Sequence, residues 1–142
     1  MSEFLEGAAM AAEHKSDLLV VTRAKELCTY IMTVTQKSPK QFRFTFVTRL
    51  QNLALDVIEN IYYANEIFIG KGYERNADKR LALQHHALTK LKLVAYIAEM
   101  AMTQHCILFK QYEQIAKMTT DCQRLIGAWI NSDKKRLEPK AQ

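Results

Sequence analysis

A chain of 142 residues, 49% hydrophobic and 25% charged, has the size and balance of one globular domain that buries about 70% of its unfolded surface. Four glycines and two prolines punctuate too little for a many-stranded sheet, and three cysteines, an odd number, do not make a disulfide framework. A net charge of +5 permits an acidic or nucleic-acid partner without requiring one, and no apolar run nears the roughly 18 residues of a membrane span.

In chain order, residues 1–16 have weak periodicity interrupted by Gly7 and read as a flexible leader, native or partly a cloning remnant. Ser16 or Asp17 is a cap for a first helix, in which Val20, Ala24, Leu27, Cys28, Ile31 and Val34 recur at three- and four-residue steps. Ser38-Pro39 ends that helix and starts the next, because proline is tolerated at the first helical position.

The second helix is expected to run to about Ile69, roughly 45 Å at 1.5 Å per residue. On a wheel of 100° per residue, Phe46, Leu50, Leu53, Ala54, Val57, Ile61, Ala64 and Phe68 share one face. Phe44, Leu55, Ile58, Tyr62 and Ile69 form a second stripe roughly 100° away. A surface helix needs an apolar stripe of only about 100°, and this arc spans roughly 220°. One stripe suffices for the subunit's own core. The second asks for a partner, with Phe44, Leu55, Ile58 and Tyr62 as candidate oligomer contacts.

Gly70-Lys71-Gly72 makes a turn, and Asn76 caps a third helix carrying Leu83, Ala87, Leu91, Val94, Ala98 and Ala101 to near His105. A fourth helix starts near Leu108 and uses Tyr112, Ile115, Thr119, Cys122, Leu125, Ile126 and Trp129, with Asn131-Ser132 closing it. Residues 133–142 then read as a basic tail. The expectation is an all-α, antiparallel up-down-up-down four-helix bundle over residues 17–132, without a repeat or a convincing strand.

Enzyme motifs are absent: there is no phosphate-cradling glycine loop, no nucleophile elbow and no paired Glu-x-x-His. His85 and His86 are adjacent, so on a helix they point about 100° apart and cannot share one ion. Cys28, Cys106 and Cys122 sit in apolar helical patterns and read as small hydrophobes in a reducing, cytoplasmic compartment. The expectation is a protein without catalysis, metal or cofactor. Asp56 and Glu59, on the polar side of the second helix, read as partners of an intrahelical or inter-subunit ion pair.

The cations are uneven. Lys37, Lys40, Arg43 and Arg49 have no acid among them, and Lys71, Arg75, Lys79, Arg80, Lys90 and Lys92 face only Glu74 and Asp78. Singly these are solvated surface; repeated around an oligomer they make a positive belt that contacts phosphates without reading sequence. The aromatics do not clearly interleave with these charges, so a base-stacking platform is weakly supported.

The stretch KSPKQFRFTFVTRLQNLALDVIENIYYANEI closely resembles the accessory (Avd) proteins of bacterial diversity-generating retroelements. FKQYEQIAKMTTDCQRLIGAWINSDKKR looks like that family's closing helix, and KRLALQHHALTKLKLVAYIAEMAM sits where its third helix lies, so the resemblance spans roughly residues 18–136. It implies a four-helix bundle assembled as a homopentameric barrel, with no activity of its own. It also implies binding to the element's reverse transcriptase and structured template RNA, in support of mutagenic copying into a target gene. The implied nucleic-acid and partner contacts are Lys37, Lys40, Arg43, Arg75, Lys79, Arg80, Lys90 and Lys92. A related group encoded in intervening sequences of 23S ribosomal RNA genes is the alternative, and a protein–protein adaptor without RNA is a third.

Overall fold

The computed structural model describes residues 2–139, with side chains from Leu19 onward. Four helices, α1 (Ser2–Thr35), α2 (Thr48–Glu66), α3 (Ala77–Thr103) and α4 (Phe109–Leu137), pack in sequence order around one core, α4 closing back on α1. No strand occurs among the described residues, and no helix there is long and apolar enough to cross a membrane. The antiparallel order follows from short connections, which force each helix back along its predecessor.

The core comes from the predicted period. Leu27 and Ile31 of α1, Leu50 and Ile61 of α2, Leu91 of α3, and Ile115 and Ile126 of α4 are almost wholly buried. Each such side chain stabilises by about 1.5–3 kcal/mol relative to an exposed one. On α3 the buried face also carries Ala87, Ala98 and Ala101, whose small side chains admit α2 and α4 at close range. Leu83, expected in that core, is half-buried; Gln84 takes the deep position instead.

Helix boundaries differ from expectation in four places. α1 starts at Ser2, so Ser16 and Asp17 lie inside it rather than capping it, and residues 2–16 are helical backbone. The second helix is broken at its start: a 3-10 turn (Lys40–Phe42) and a π turn (Arg43–Val47) precede α2. At the end of the π turn Thr48 donates both its backbone N–H and its hydroxyl to the Arg43 carbonyl, which closes the wide turn. α2 ends at Glu66, where Ile67 turns extended (φ −87, ψ 110), and this reverses two assignments. Phe68 is exposed rather than core, and Ile69 is buried rather than part of an outer stripe. α4 continues past Asn131 and Ser132 to Leu137, so the expected tail begins as helix.

α3 ends in a Schellman motif. Cys106 N–H reaches the Ala101 carbonyl (2.8 Å) and His105 N–H the Met102 carbonyl (3.0 Å), with His105 at φ +64. That conformation strains any residue with a Cβ. His105→Gly is therefore expected to raise stability by about 0.5–1 kcal/mol, read as a higher denaturation midpoint at unchanged slope. A lower midpoint would mean the exposed imidazole makes a compensating contact.

Candidate functional site

Antiparallel packing brings the α1–α2 connection against the α3–α4 connection, and Ser38 Oγ donates to the Cys106 carbonyl across them (2.8 Å). Lys37, Lys40 and Arg43 are all exposed at this end, as expected, and Lys110 joins them from the first turn of α4. Lys110 was missed in the sequence because its neighbours come from a segment about 70 residues away; the antiparallel order was the available signal. No acid lies between residues 36 and 49 or between 100 and 112. With the exposed Glu99 and Glu113 just outside those stretches, this end of the bundle is a net positive surface.

The other predicted cations separate into three situations. Arg75, Lys79 and Lys92 are exposed. Lys90 is half-buried and pairs with Asp56 of α2 (3.2 Å), so that ion pair joins two helices of one subunit and is neither intrahelical nor between subunits. Arg80 is not on the surface at all: it is only 7% exposed.

Arg80 forms the centre of a buried cluster. Its Nε and Nη2 clamp both carboxylate oxygens of Asp133 (2.7 and 2.9 Å), and its Nη1 donates to the Ile67 carbonyl (3.1 Å). Gln84 Nε2 donates to Asp133 Oδ2 (2.9 Å), and the guanidinium stacks 5.1 Å from the Trp129 ring. Two parallel charge-assisted bonds are the strongest geometry open to this pair. The cluster fixes α3, α4 and the α2–α3 loop to one another. With both Asp133 oxygens engaged, its chemistry is structural, and Arg80, buried and clamped on Asp133 and the Ile67 carbonyl, is out of reach of a phosphate.

The three cysteines are buried and unpaired. Burial raises the thiol pKa of each, that of Cys122 to about 11 with help from Asp121 and Glu26, so all three stay protonated near neutrality. His85 and His86 are both exposed on α3, and among the described residues no group of three His, Cys, Asp or Glu converges on one point.

The expected outer stripe of α2 is real but divides in two. Leu55 and Tyr62 are exposed, with Ile58 half-buried beside them. They lie on the flank of α2 that faces α1, where Gln51 Nε2 donates to Thr35 Oγ1 (3.1 Å). Phe44, 85% exposed, sits elsewhere: it lines a groove of about 670 Å³ on the α3 flank with Arg49, Asp56, Ile97 and Met100. The π turn explains the separation, because a 100° step does not hold through i→i+5 geometry. The protein thus presents two different surfaces on opposite flanks of one helix, an apolar patch on the α1 side and, on the α3 side, a mixed groove with Phe44, Ile97 and Met100 beside Arg49, Asp56 and Lys90.

No protein-family model and no curated protein matches this chain. Among solved structures it is similar to a protein of unknown function from the S23 ribosomal protein family of Bacteroides thetaiotaomicron. The two share 17% identity over 82% of this chain and 98% of that chain, with a TM-score of 0.66. A likeness at this identity establishes the helical fold and nothing further.

Proposed function

We propose that this chain is a non-catalytic, ring-forming scaffold: a cytoplasmic accessory protein of a bacterial diversity-generating retroelement, which holds the reverse transcriptase and structured template RNA. The observation that carries the reading is the pair of unlike surfaces flanking α2, an apolar patch on one side and a mixed groove holding Phe44, Ile97 and Met100 on the other. A two-fold dimer uses one patch twice, whereas a closed ring needs two complementary patches. Leu55 and Tyr62 supply the protruding side and the Phe44–Met100 groove the receiving side. The subunit number, five, rests on the helix stretches that resemble the accessory family. The end bearing Lys37, Lys40, Arg43 and Lys110, four cations against Glu99 and Glu113, would recur around the ring as a phosphate-binding belt.

The S23-family fold likeness favours a second reading, a protein of the 23S intervening-sequence type. Both readings share the ring; the neighbouring genes separate them, since a reverse transcriptase and a template/variable repeat pair belong only to the first.

The direct test measures affinity for structured RNA and for duplex DNA across salt concentration, with mass in solution recorded alongside. Replacing Lys37, Lys40 and Arg43 by Glu together is expected to flatten the slope of log K against log salt by roughly 2. The oligomer's mass should not change. A slope identical to that of the parent protein would remove this end of the bundle from the interface, and no binding at low salt would leave a protein-only adaptor.

A further inference from the structure

The α2–α3 loop presents two aromatic rings that neither the core nor the ring-forming surfaces use. Phe68 is 57% and Tyr73 49% exposed, and they meet edge to face at 5.1 Å between centroids. Exposed rings on a loop are ordinarily mobile side chains on mobile backbone. Here the backbone between them is tied at several points. Ile67 carbonyl accepts Arg80, Phe68 carbonyl accepts Asn76 Nδ2 (3.1 Å), and Tyr73 N–H closes a turn on the Gly70 carbonyl (2.9 Å). Ile69, 3% exposed, anchors the segment in the core. Gly70 is required by the arrangement, since a Cβ there would collide with the Phe68 ring; Gly72, at φ +91, makes the reversal.

Charges of both signs flank this pair, Glu66, Glu74 and Asp78 among them. Lys71 lies between the rings in sequence and Arg75 just beyond them, both exposed. A groove of about 590 Å³ runs from Gly70 and Lys71 to Arg136 near the end of α4. Glu74 also lines the groove as an anion: hydrogen bonds from backbone N–H groups, that of Gly72 among them (3.1 and 3.2 Å), and the charge of Lys71 hold its carboxyl below the usual range, and Arg75 and Arg136 leave the surroundings net positive. Preorganised π faces with cations on the same loop are what a strand with unpaired bases requires, because every base offers a face to stack. A protein hot spot has a different form, an anchor enclosed by a rim that excludes water.

We infer that this loop is a stacking site for unpaired bases of single-stranded RNA, with Phe68 and Tyr73 as the platform and Lys71, Arg75 and Arg136 as phosphate contacts. The inference rests on the RNA-binding reading above and adds to it the kind of RNA segment held at this end of the bundle. A long apolar arc and a dispersed charge gave no hint of it in the sequence; the turn that brings residues 68 and 73 together does.

The test uses the full chain with two probes, a short single-stranded oligoadenylate RNA and a blunt RNA duplex without unpaired bases. The double variant Phe68→Leu/Tyr73→Leu keeps apolar bulk and removes both π faces. Its affinity for the single strand is expected to fall at least about tenfold, with duplex affinity unchanged. Phe68→Trp, which restores a ring, should retain single-strand binding. Equal losses on both probes, or no loss on either, overturn the stacking site, as does a fall in the oligomer's mass in the double variant. Parent protein that binds duplex but not single strand overturns this inference alone; parent protein that binds neither overturns the RNA reading with it.

Discussion

Asp133→Ala is expected to destabilise the protein by about 3–5 kcal/mol, because it leaves the Arg80 guanidinium buried without its counter-charge. That is a large part of the roughly 5–15 kcal/mol by which a domain is stable. The melting temperature should drop by on the order of 10–20 °C at this chain length. Arg80→Ala should act similarly, since it strands the Asp133 carboxylate with only Gln84 and the more distant Arg136 (3.8 Å) for company. The pair as a whole is a different matter. Replacing both by apolar residues of similar volume, Arg80→Met with Asp133→Leu, is expected to be near neutral, because two desolvation penalties disappear together.

That contrast also assigns Arg80 its role. The Arg80→Met/Asp133→Leu protein should bind structured RNA with the parent's salt slope, as a guanidinium buried against its own carboxylate contributes no phosphate contact. Measured stability loss of under about 1 kcal/mol for Asp133→Ala would mean the cluster is hydrated or loosely held. A flattened salt slope in the double variant would return Arg80 to the RNA surface.

Where the sequence was legible, period was the reason. Leu50, Leu53, Ala54, Val57, Ile61 and Ala64 all lie in the core as the wheel arranged them, because α2 is regular from Thr48 to Glu66. Errors began where the backbone left the α geometry. Phe44 moved to the other flank through a π turn whose stretch, RFTFV, carries no glycine or proline to announce it. Phe68 and Ile69 exchanged roles because the helix stops three residues before Gly70, the nearest visible breaker.

Arg80 failed for another reason. Charge was read as surface, yet Arg80 and Gln84 continue the register of Ala87, Leu91 and Val94, and Asp133 continues that of Ile126, Trp129 and Ile130. A cation and an anion, each in a core register at the same end of an antiparallel pair, are a readable sign of a buried ion pair. The pairing spans 53 residues, so no local pattern contains both members.

The proposed ring makes a sharper prediction than loss of assembly. Leu55→Asp spoils the protruding patch and Met100→Asp the groove, and each side chain is exposed enough in the single subunit (47% and 57%) that folding should survive. Ile58, half-buried against the core, is the poorer choice, since a charge there would also strain the fold. Every junction of a head-to-tail ring uses one patch of each kind, so either variant alone loses all its junctions. A carboxylate stranded in a packed apolar contact weakens each by about a hundredfold or more, and the expected mass is that of the 16.4 kDa monomer. Mixing the two variants restores one kind of junction only, the intact protruding patch of Met100→Asp in the intact groove of Leu55→Asp. The mixture should therefore form two-subunit species and nothing larger. If Met100→Asp alone kept the parent's mass, the groove would lie outside the assembly, and the contact would join like patches instead of closing a ring.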